Sequence, residues 1–380
     1  VKLPAPLHVV LVNLALVPGL RPEELLGRLP GLGRFAASLA DAGARVTVLA
    51  RAEEDADLNE GPVRLVTTND GEGAFAPLRS PASGVVRLLR RLSPDVVHVG
   101  GLLFPVPTAA VRAAMPRRVP VLVQHHGEPP GRGRLGLLQR LLLRSADGVL
   151  FTSREIADEW IRGGHLPGET GVNEVLEAST DLEPVPRGEA RAATGIDGDP
   201  AVLWVGRLHP RKDPVTALRA FEGSIPALPG ARLHLVHREA PLLDELKSRV
   251  EASPALRHAV RFVGPVPHAG LPAWYSASDL FLTSSPSEGS NWAFIEATAC
   301  GLPAVATDIP ANRRVAGPGT ELFPAGSSSD GATAIVRASR DPAARRAPLE
   351  EHFERRLSWA VVAREALAAY SRAIALRSAS

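Results

Sequence analysis

Short apolar runs rich in β-branched residues alternate along the chain with stretches whose apolar residues recur every three or four positions, the rhythm of βαβ units around parallel sheets. In the first half the runs predict strands at Leu7 to Val12, Arg45 to Leu49, Val63 to Thr67, Asp95 to Val99, Pro120 to Gln124 and Gly148 to Thr152. Helical spacing falls between them, over Leu32 to Ala42, Ala82 to Leu92, Arg134 to Ser145 and Arg154 to Arg162. The second half repeats the rhythm, with strands at Ala201 to Val205, Arg232 to Val236, Val260 to Val263, Asp279 to Thr283 and Pro303 to Thr307. The pattern predicts an α/β chain with two doubly wound parallel sheets, whose ligands bind beyond the carboxyl ends of the strands in a cleft between them. Asp181 to Gly198 carries Pro184, Pro186 and Gly188 with little apolar content, which places a linker near Pro184 to Pro186. The division is then 1–184 and 185–357, followed by an amphipathic helix from Ser358 to Ile374.

Composition narrows the class. Of 380 residues, 45% are apolar and 22% charged, so the chain can bury a large core. The 43 basic and 41 acidic residues nearly cancel, leaving no broad positive field for nucleic acid. Only Lys2, Lys212 and Lys247 are lysines, which makes each of them informative in an Arg-rich chain. Cys300 is the only cysteine, so intramolecular disulfides and Cys-rich metal sites are excluded. The uncharged stretch Val96 to Val111 contains His98, Pro105 and Pro107 and is a poor membrane-spanning helix. Val1-Lys2-Leu3-Pro4 lacks the apolar core of a signal peptide, and a reducing, cytoplasmic setting is expected.

The densest chemical signal is Ser284 to Gly301, SSPSEGSNWAFIEATACG. A strand ends at Thr283, a Ser/Pro/Gly turn follows, and a helix starts near Ser290 or Asn291, cap-type residues, and stops at Gly301. Such a start presents backbone N–H groups and the positive end of the helix dipole to a phosphate or diphosphate. Glu288 in the turn and Glu296 on the helix are placed to accept hydrogen bonds from hydroxyls at two ends of one extended ligand. Glu169 and Glu177 share the same spacing but lack the strand-turn-helix frame. In AVLWVGRLHPRKDPVTALRAF, Ala201 to Phe221, Arg207 and Lys212 flank a βα turn where two cations suit a diphosphate. VPVLVQHHGEPP brings His125 and His126 to a strand end, one facing the ligand edge and the other packing.

Gly31 to Ala36 matches G-x-G-x-x-A, yet lies too far beyond the first strand for a dinucleotide fingerprint; Gly31 and Gly33 read instead as a mobile loop facing phosphate or acceptor. Arg134 to Ser145 is a strongly apolar helix with Arg140 and Arg144 on a narrow polar face, read as packed on a sheet, with peripheral membrane contact not favoured. P-loop, nucleophile-elbow and H-E-x-x-H motifs are absent.

Together these residues resemble the family 4 retaining glycosyltransferases of the GT-B fold, in which two Rossmann-like domains face a central cleft. The similarity runs from DVVHVG at Asp95 through QHHG and ADGVLFTS at Ala146 to VGRLHPRKD, RFVGPV and YSASDLFLTSSPSEGSNWAFIEATACGLPAVATD, and is sharpest over residues 200–316. The resemblance implies an acceptor domain over 1–184, onto which the terminal helix within 358–380 packs back, and a nucleotide-sugar donor domain over 185–357. It implies that Arg207 and Lys212 hold the donor diphosphate, Glu288 the transferred sugar and Glu296 the ribose. The backbone near Val266 would meet the base, and His126 would lie beside the reacting carbon. Gly289, Ser290, Asn291 and Trp292 would join Gly33 in lining the donor site, and no cofactor or divalent metal is implied. Three departures stand out: Ser290-Asn291-Trp292 where the family often has an aromatic residue and a glycine, Val236-His237-Arg238-Glu239 where it often has a Gly-acidic-Gly turn, and the lateness of the glycines near Gly31.

The expected function is a cytoplasmic, metal-independent, retaining glycosyltransferase of hexosyltransferase type, moving a sugar from a nucleotide diphosphate sugar, UDP-sugar preferred, to a hydroxyl acceptor. A nucleotide-sugar epimerase of the same fold and a non-catalytic two-lobed sugar-nucleotide-binding protein are the alternatives, with an NAD-dependent oxidoreductase a distant third.

Overall fold

The β-branched runs pair as two separate sheets in the computed structural model, which describes residues 6–71, 73, 80–166 and 171–378. One compact unit runs to Ala178 and resumes at Trp359; the other is Ser179–Ser358. In the first, β1 (His8–Asn13), β2 (Arg45–Arg51), β3 (Ala56–Glu60), β4 (Val63–Thr68), β5 (Val96–Gly100), β6 (Val121–Gln124), β7 (Gly148–Phe151) and β8 (Val172–Glu174) lie in the order β3-β4-β2-β1-β5-β6-β7-β8. Every neighbouring pair is parallel except β3–β4. Val10, Val12, Val97, Val99, Val121 and Val123 are buried together beneath the helices Ser83–Leu92 and Pro105–Ala114. β3 has no counterpart among the predicted strands: ADLNE is a polar edge strand, covered on one side only, and carries no apolar run to read.

The expected loop at Gly31 and Gly33 is a correction. Both residues lie in the first turn of the helix Pro30–Asp41, and Leu29 supplies no side-chain cap. A Cβ on Gly33 would approach the Leu26 carbonyl oxygen to 3.1 Å, so this glycine lets the helix start close against the preceding turn Leu25–Arg28. Its role in this packing is structural. The helix Gly133–Leu142 is also less covered than its pattern implied: Leu137 and Leu141 are 57% and 63% exposed, beside exposed Arg134, Arg140 and Arg144. Among the described residues no helix is long and apolar enough to cross a membrane.

The last helix, Trp359–Ser378, buries Val362, Ala366, Ala369 and Tyr370. Its Tyr370 hydroxyl is hydrogen-bonded to Nδ1 of His98 on β5 at 2.6 Å. The Phe35 ring meets the other side of the imidazole edge-on at 5.4 Å between centroids. Arg372 donates to Asn173 at 2.7 Å, and Arg377 pairs with Asp147, to which Arg112 also donates at 3.0 Å. Sequence-distant residues thus tie the C-terminal helix into the first unit.

In the second unit, β9 (Ala201–Gly206), β10 (Arg232–His237), β11 (Val260–Gly264), β12 (Leu280–Thr283), β13 (Ala304–Thr307) and β14 (Glu321–Phe323) form an all-parallel sheet in the order β11-β10-β9-β12-β13-β14. This is the Rossmann order, with the reversal between β9 and β12. Pro184 to Pro186, read as a linker, is fastened to this unit. The Val185 amide donates to Ser276 Oγ at 3.0 Å, and Arg187 and Arg191 both reach Asp279.

Burial, with a smaller contribution from the charge of His126, pushes the His98 imidazole down to about 3. The folded chain therefore leaves His98 unprotonated between about 3 and its unfolded value, whereas the unfolded chain takes up a proton across that window. Its stabilising contribution is complete above the unfolded pKa and is lost as pH falls, by up to about 1.4 kcal/mol per pH unit. Urea titrations at pH 7 and pH 5 should show a weaker pH dependence for His98→Gln than for the wild type. Equal dependence would mean that the folded imidazole titrates normally.

Candidate functional site

In the second unit the loops leaving β9 and β12 are stitched together by backbone anchoring. After Gly206, a 3-10 turn at Pro210–Lys212 leads to Asp213, whose left-handed backbone (φ 43°) lets its carboxylate cap the helix Pro214–Ser224 by accepting from the Thr216 amide at 3.1 Å. Ser284, just beyond β12, donates its hydroxyl to the Asp213 carbonyl at 2.7 Å and to that of Lys212 at 3.2 Å. With its backbone held this way, Lys212 places Nζ 2.5 Å from Glu288 Oε1, and the two side chains are 23% and 12% exposed. The sequence reading gave Lys212 to a diphosphate and Glu288 to a sugar as separate elements. The fold brings them together as one ion pair.

Arg207 stands at the mouth of the same loop, half-exposed, with a guanidinium nitrogen 3.5 Å from Glu239. The Glu239 carbonyl accepts from the Leu208 amide at 2.8 Å, so the Val236-His237-Arg238-Glu239 departure puts a carboxylate against this cation. Both side chains are solvated, and the pairing is weak.

The helix after β12 is Trp292–Ala299, and its start differs from the expected side-chain cap. Asn291 is the N-cap residue but makes no cap hydrogen bond. Its buried amide instead donates to Thr283 Oγ1 at 3.1 Å and Asn312 Oδ1 at 3.0 Å. Asn312 in turn donates to the Thr307 carbonyl at 2.9 Å, and the Thr307 hydroxyl donates to the Ser285 carbonyl at 2.6 Å. This network fixes the path of the Ser284-to-Asn291 loop from below. Gly289 and Ser290 are buried within it, while the Trp292 ring is 40% exposed at the helix start. The Asn291 side chain thus makes no hydrogen bond to the first amides of the helix, whose positive dipole end lies at this turn.

One turn farther on, Glu296 is 6% exposed and engaged at both oxygens. Oε1 accepts from His268 Nε2 at 2.8 Å and Oε2 from the Tyr275 hydroxyl at 2.8 Å. The hydrogen bond from Glu296 raises the His268 imidazole above its ordinary value against a smaller opposing effect of burial, and burial with the Glu296 charge pushes Tyr275 well up. Val266 lies between β11 and the turn His268–Gly270, its side chain close enough to Gly270 that an added Cβ there would meet it at 3.3 Å. His268, Tyr275, Asn312 and Thr307 were not found from the sequence; each is an ordinary polar residue whose partner lies far away in the chain.

In the first unit β6 ends at Gln124, and the two following histidines diverge. His125 is buried, stacked on Phe151 at 4.7 Å, with Nε2 hydrogen-bonded to the Glu128 carbonyl at 2.9 Å. His126 has a half-exposed side chain whose Nδ1 is 2.7 Å from Glu177 Oε2. Glu177 entered the sequence reading only through its spacing from Glu169, which lies outside the described residues. A groove lined by Leu7, Asp95, Met115, Val119 and Ile374 opens at the amino ends of the strands of this unit and holds none of these residues. Among the described residues, no three His, Cys, Asp or Glu side chains gather as a metal site.

Residues 199–341 match the family described as glycosyl transferases group 1, and residues 30–170 match the glycosyl transferase 4-like domain. The chain belongs with the family 4 glycosyltransferases of GT-B fold. One match falls in each unit. Among relatives of this glycosyltransferase family member, a D-inositol 3-phosphate glycosyltransferase of Kribbella flavida is 31% identical over 266 residues, covering 64% of this chain and 60% of that protein. The matched stretches span 46% to 60% of the length of this and two further curated relatives. Sucrose-phosphate synthase of Thermosynechococcus elongatus shares the fold at a TM-score of 0.71 and 21% identity, over 97% of this chain and all of that one. Anabaena HepE, solved in complex with UDP, shares it at a TM-score of 0.71 and 19% identity, over 96% and 100%.

Because Asn291 is a buried network residue in this glycosyltransferase homologue, Asn291→Ala should cost about 1–3 kcal/mol of stability in urea unfolding, through the acceptors it leaves without a donor. A loss below about 0.5 kcal/mol, the scale of an ordinary surface substitution, would show that the network does not hold the loop.

Proposed function

We propose that the chain is a metal-independent, retaining hexosyltransferase that moves a sugar from a UDP-sugar to a hydroxyl acceptor, in a cytoplasmic setting. The observation that carries this reading is the Lys212–Glu288 pair at the turn that leads into the helix Trp292–Ala299. A cation, a carboxylate and a positive dipole end meet there beyond the carboxyl ends of β9 and β12, where the strand order reverses, and all three suit a nucleotide diphosphate sugar. The UDP in the HepE complex supports uridine as the base.

In this reading the second unit, 185–357 in the division made from sequence, is the donor domain, and the first is the acceptor domain with the terminal helix packed on it. Lys212 and Arg207 neutralise the charge that grows on the diphosphate as the glycosidic bond breaks. Glu288 accepts hydrogen bonds from the sugar hydroxyls, and Glu296, already ordered by Tyr275 and His268, offers its remaining lone pairs to the ribose. Gly289, Ser290 and Trp292 line the diphosphate and sugar, and Val266 borders the base. His126 contacts the substrate. The acceptor hydroxyl attacks on the leaving-group face, and its proton passes to the departing diphosphate oxygen, which accounts for retention without a separate protein base. The name of the Kribbella flavida relative makes an inositol phosphate the first acceptor to try.

A thermal-shift screen of nucleoside diphosphates and their sugars tests this directly, since a ligand that binds only the folded state raises the melting temperature. UDP and a UDP-sugar should raise it, and Arg207→Ala should weaken UDP binding by about tenfold or more, the effect of one charge-assisted contact. Unchanged affinity would put the diphosphate elsewhere. Release of a free epimer without acceptor would favour the epimerase alternative, and binding without turnover the non-catalytic one.

The two glutamates separate by position along the donor. Glu288→Gln should depress turnover while leaving UDP affinity within about threefold, because UDP lacks the transferred sugar. Glu296→Gln should weaken UDP and UDP-sugar alike. The opposite pattern in titration calorimetry would reverse the assignment.

Peripheral membrane contact is a second reading, favoured by the outer face of Gly133–Leu142, where exposed Leu137 and Leu141 alternate with exposed Arg134, Arg140 and Arg144 and no acid intervenes. Vesicles with anionic phospholipid should co-sediment the chain, and Leu137→Gln with Leu141→Gln should abolish this. Equal recovery with uncharged vesicles, or none with either, would remove the reading.

A further inference from the structure

Around His126 the first unit holds two carboxylates, Glu128 and Glu177, that the proposed donor chemistry does not use. His126 is fixed at two points. Its backbone amide donates to Glu128 Oε2 at 2.7 Å, and its Nδ1 lies 2.7 Å from Glu177 Oε2. Glu128 is itself locked, because its other oxygen accepts from the Leu102 amide in the loop after β5. Glu177 is carried on the segment beyond β8, where the Val175 amide bonds to the Phe151 carbonyl at 2.8 Å, and its side chain is 9% exposed. The half-exposed imidazole is thus clamped between two loops at the carboxyl edge of the sheet.

The clamp engages Nδ1 and leaves Nε2 for a further partner. With Nδ1 on Glu177, Nε2 lies beside Gly100 of β5, where an added Cβ would come to 3.3 Å of it, a tighter approach than most Cβ contacts. Among the described residues no hydrogen-bond partner meets Nε2. A ring held by Nδ1–H on a carboxylate and carrying a second proton can only donate through Nε2; without that proton Nε2 can only accept.

We propose that Glu177 is a positioning residue for His126, holding the imidazole by Nδ1 and keeping it cationic so that Nε2–H is presented as a charged donor to an oxygen of the bound substrate. The proposal rests on the reading in which His126 contacts substrate. The groups facing the ring agree with it. Burial would depress the imidazole, but the hydrogen bond and charge of Glu177, with the charge of Glu128, outweigh it and raise the pKa above the ordinary value. The third neighbour, His98 on β5, is held neutral and adds no opposing charge. A carboxylate at this distance stabilises the imidazolium far more than a neutral amide would. Glu177→Gln keeps the shape of the clamp and removes the charge.

Histidine-selective NMR titration of the full chain, with the His126 signal assigned by its loss in His126→Asn, reads the first half of the proposal. Initial-rate measurements across pH read the second. In Glu177→Gln the His126 midpoint should move to lower pH, and Glu177→Asp should restore most of the shift. The alkaline limb of kcat/KM should move with it, so that on that limb the variant loses about tenfold for each pH unit by which the midpoint has moved, and progressively less toward pH 6. A His126 midpoint that is the same in wild type and Glu177→Gln overturns the positioning role. A midpoint that moves while the pH profile of kcat/KM stays put leaves the clamp standing and overturns the contact between His126 and substrate, which is failure of the parent reading.

Discussion

The reversal of strand order between β9 and β12 is the constraint on which the second unit depends. Parallel strands joined by right-handed crossovers can be extended outward from one starting strand in both directions, and the loops on either side of that strand must then leave in opposite senses. The crevice so opened is bordered by the turn after β9 and the turn after β12, the segments that carry Lys212 and Glu288. Ser284 closes its floor by donating to the carbonyls of Lys212 and Asp213. The ion pair is a consequence of topology, since 76 residues separate its members.

The site loop is held by neutral hydrogen bonds from below, while its charges stay near the surface. Asn291, Thr283, Asn312 and Thr307 form a chain in which donors meet acceptors without any ionised group, the cheaper arrangement in a buried place. Lys212 and Glu288 pair with each other near the surface of the loop, where they can exchange partners when a ligand arrives, while Glu296 lies buried on the helix that follows. Glu296 is the most constrained of the three, with the Tyr275 hydroxyl behind it and the exposed His268 ring beside it.

The first unit uses histidines in opposite ways. His98 is buried between Phe35 and Tyr370, and loss of solvation keeps it neutral; His126, at the edge of the same sheet, is joined to carboxylates that favour its charge. The same side chain therefore serves as a packing polar group in one place and as a candidate donor in the other. Position relative to the strand ends separates them, as it separates His125 on Phe151 from its neighbour.

Strand and helix periodicity were legible in the sequence because they are local: the apolar runs at Val9, Val97, Val202 and Phe281 became central parallel strands with boundaries close to those expected. The strand-turn-helix frame from Thr283 to Gly301 was legible for the same reason. Polar or very short strands such as β3, β8 and β14 were not, since an edge strand needs no apolar run. Nor was the helix start at Pro30, where the glycines suggested a loop but packing on Leu26 decided the conformation. Partner choice was beyond a linear reading altogether. Whether Lys212 meets Glu288, Asn291 turns from capping to Asn312, or His126 finds Glu177 depends on which strand ends the crossovers bring together, and hydrogen bonds and ion pairs act only over the few ångströms that tertiary structure sets.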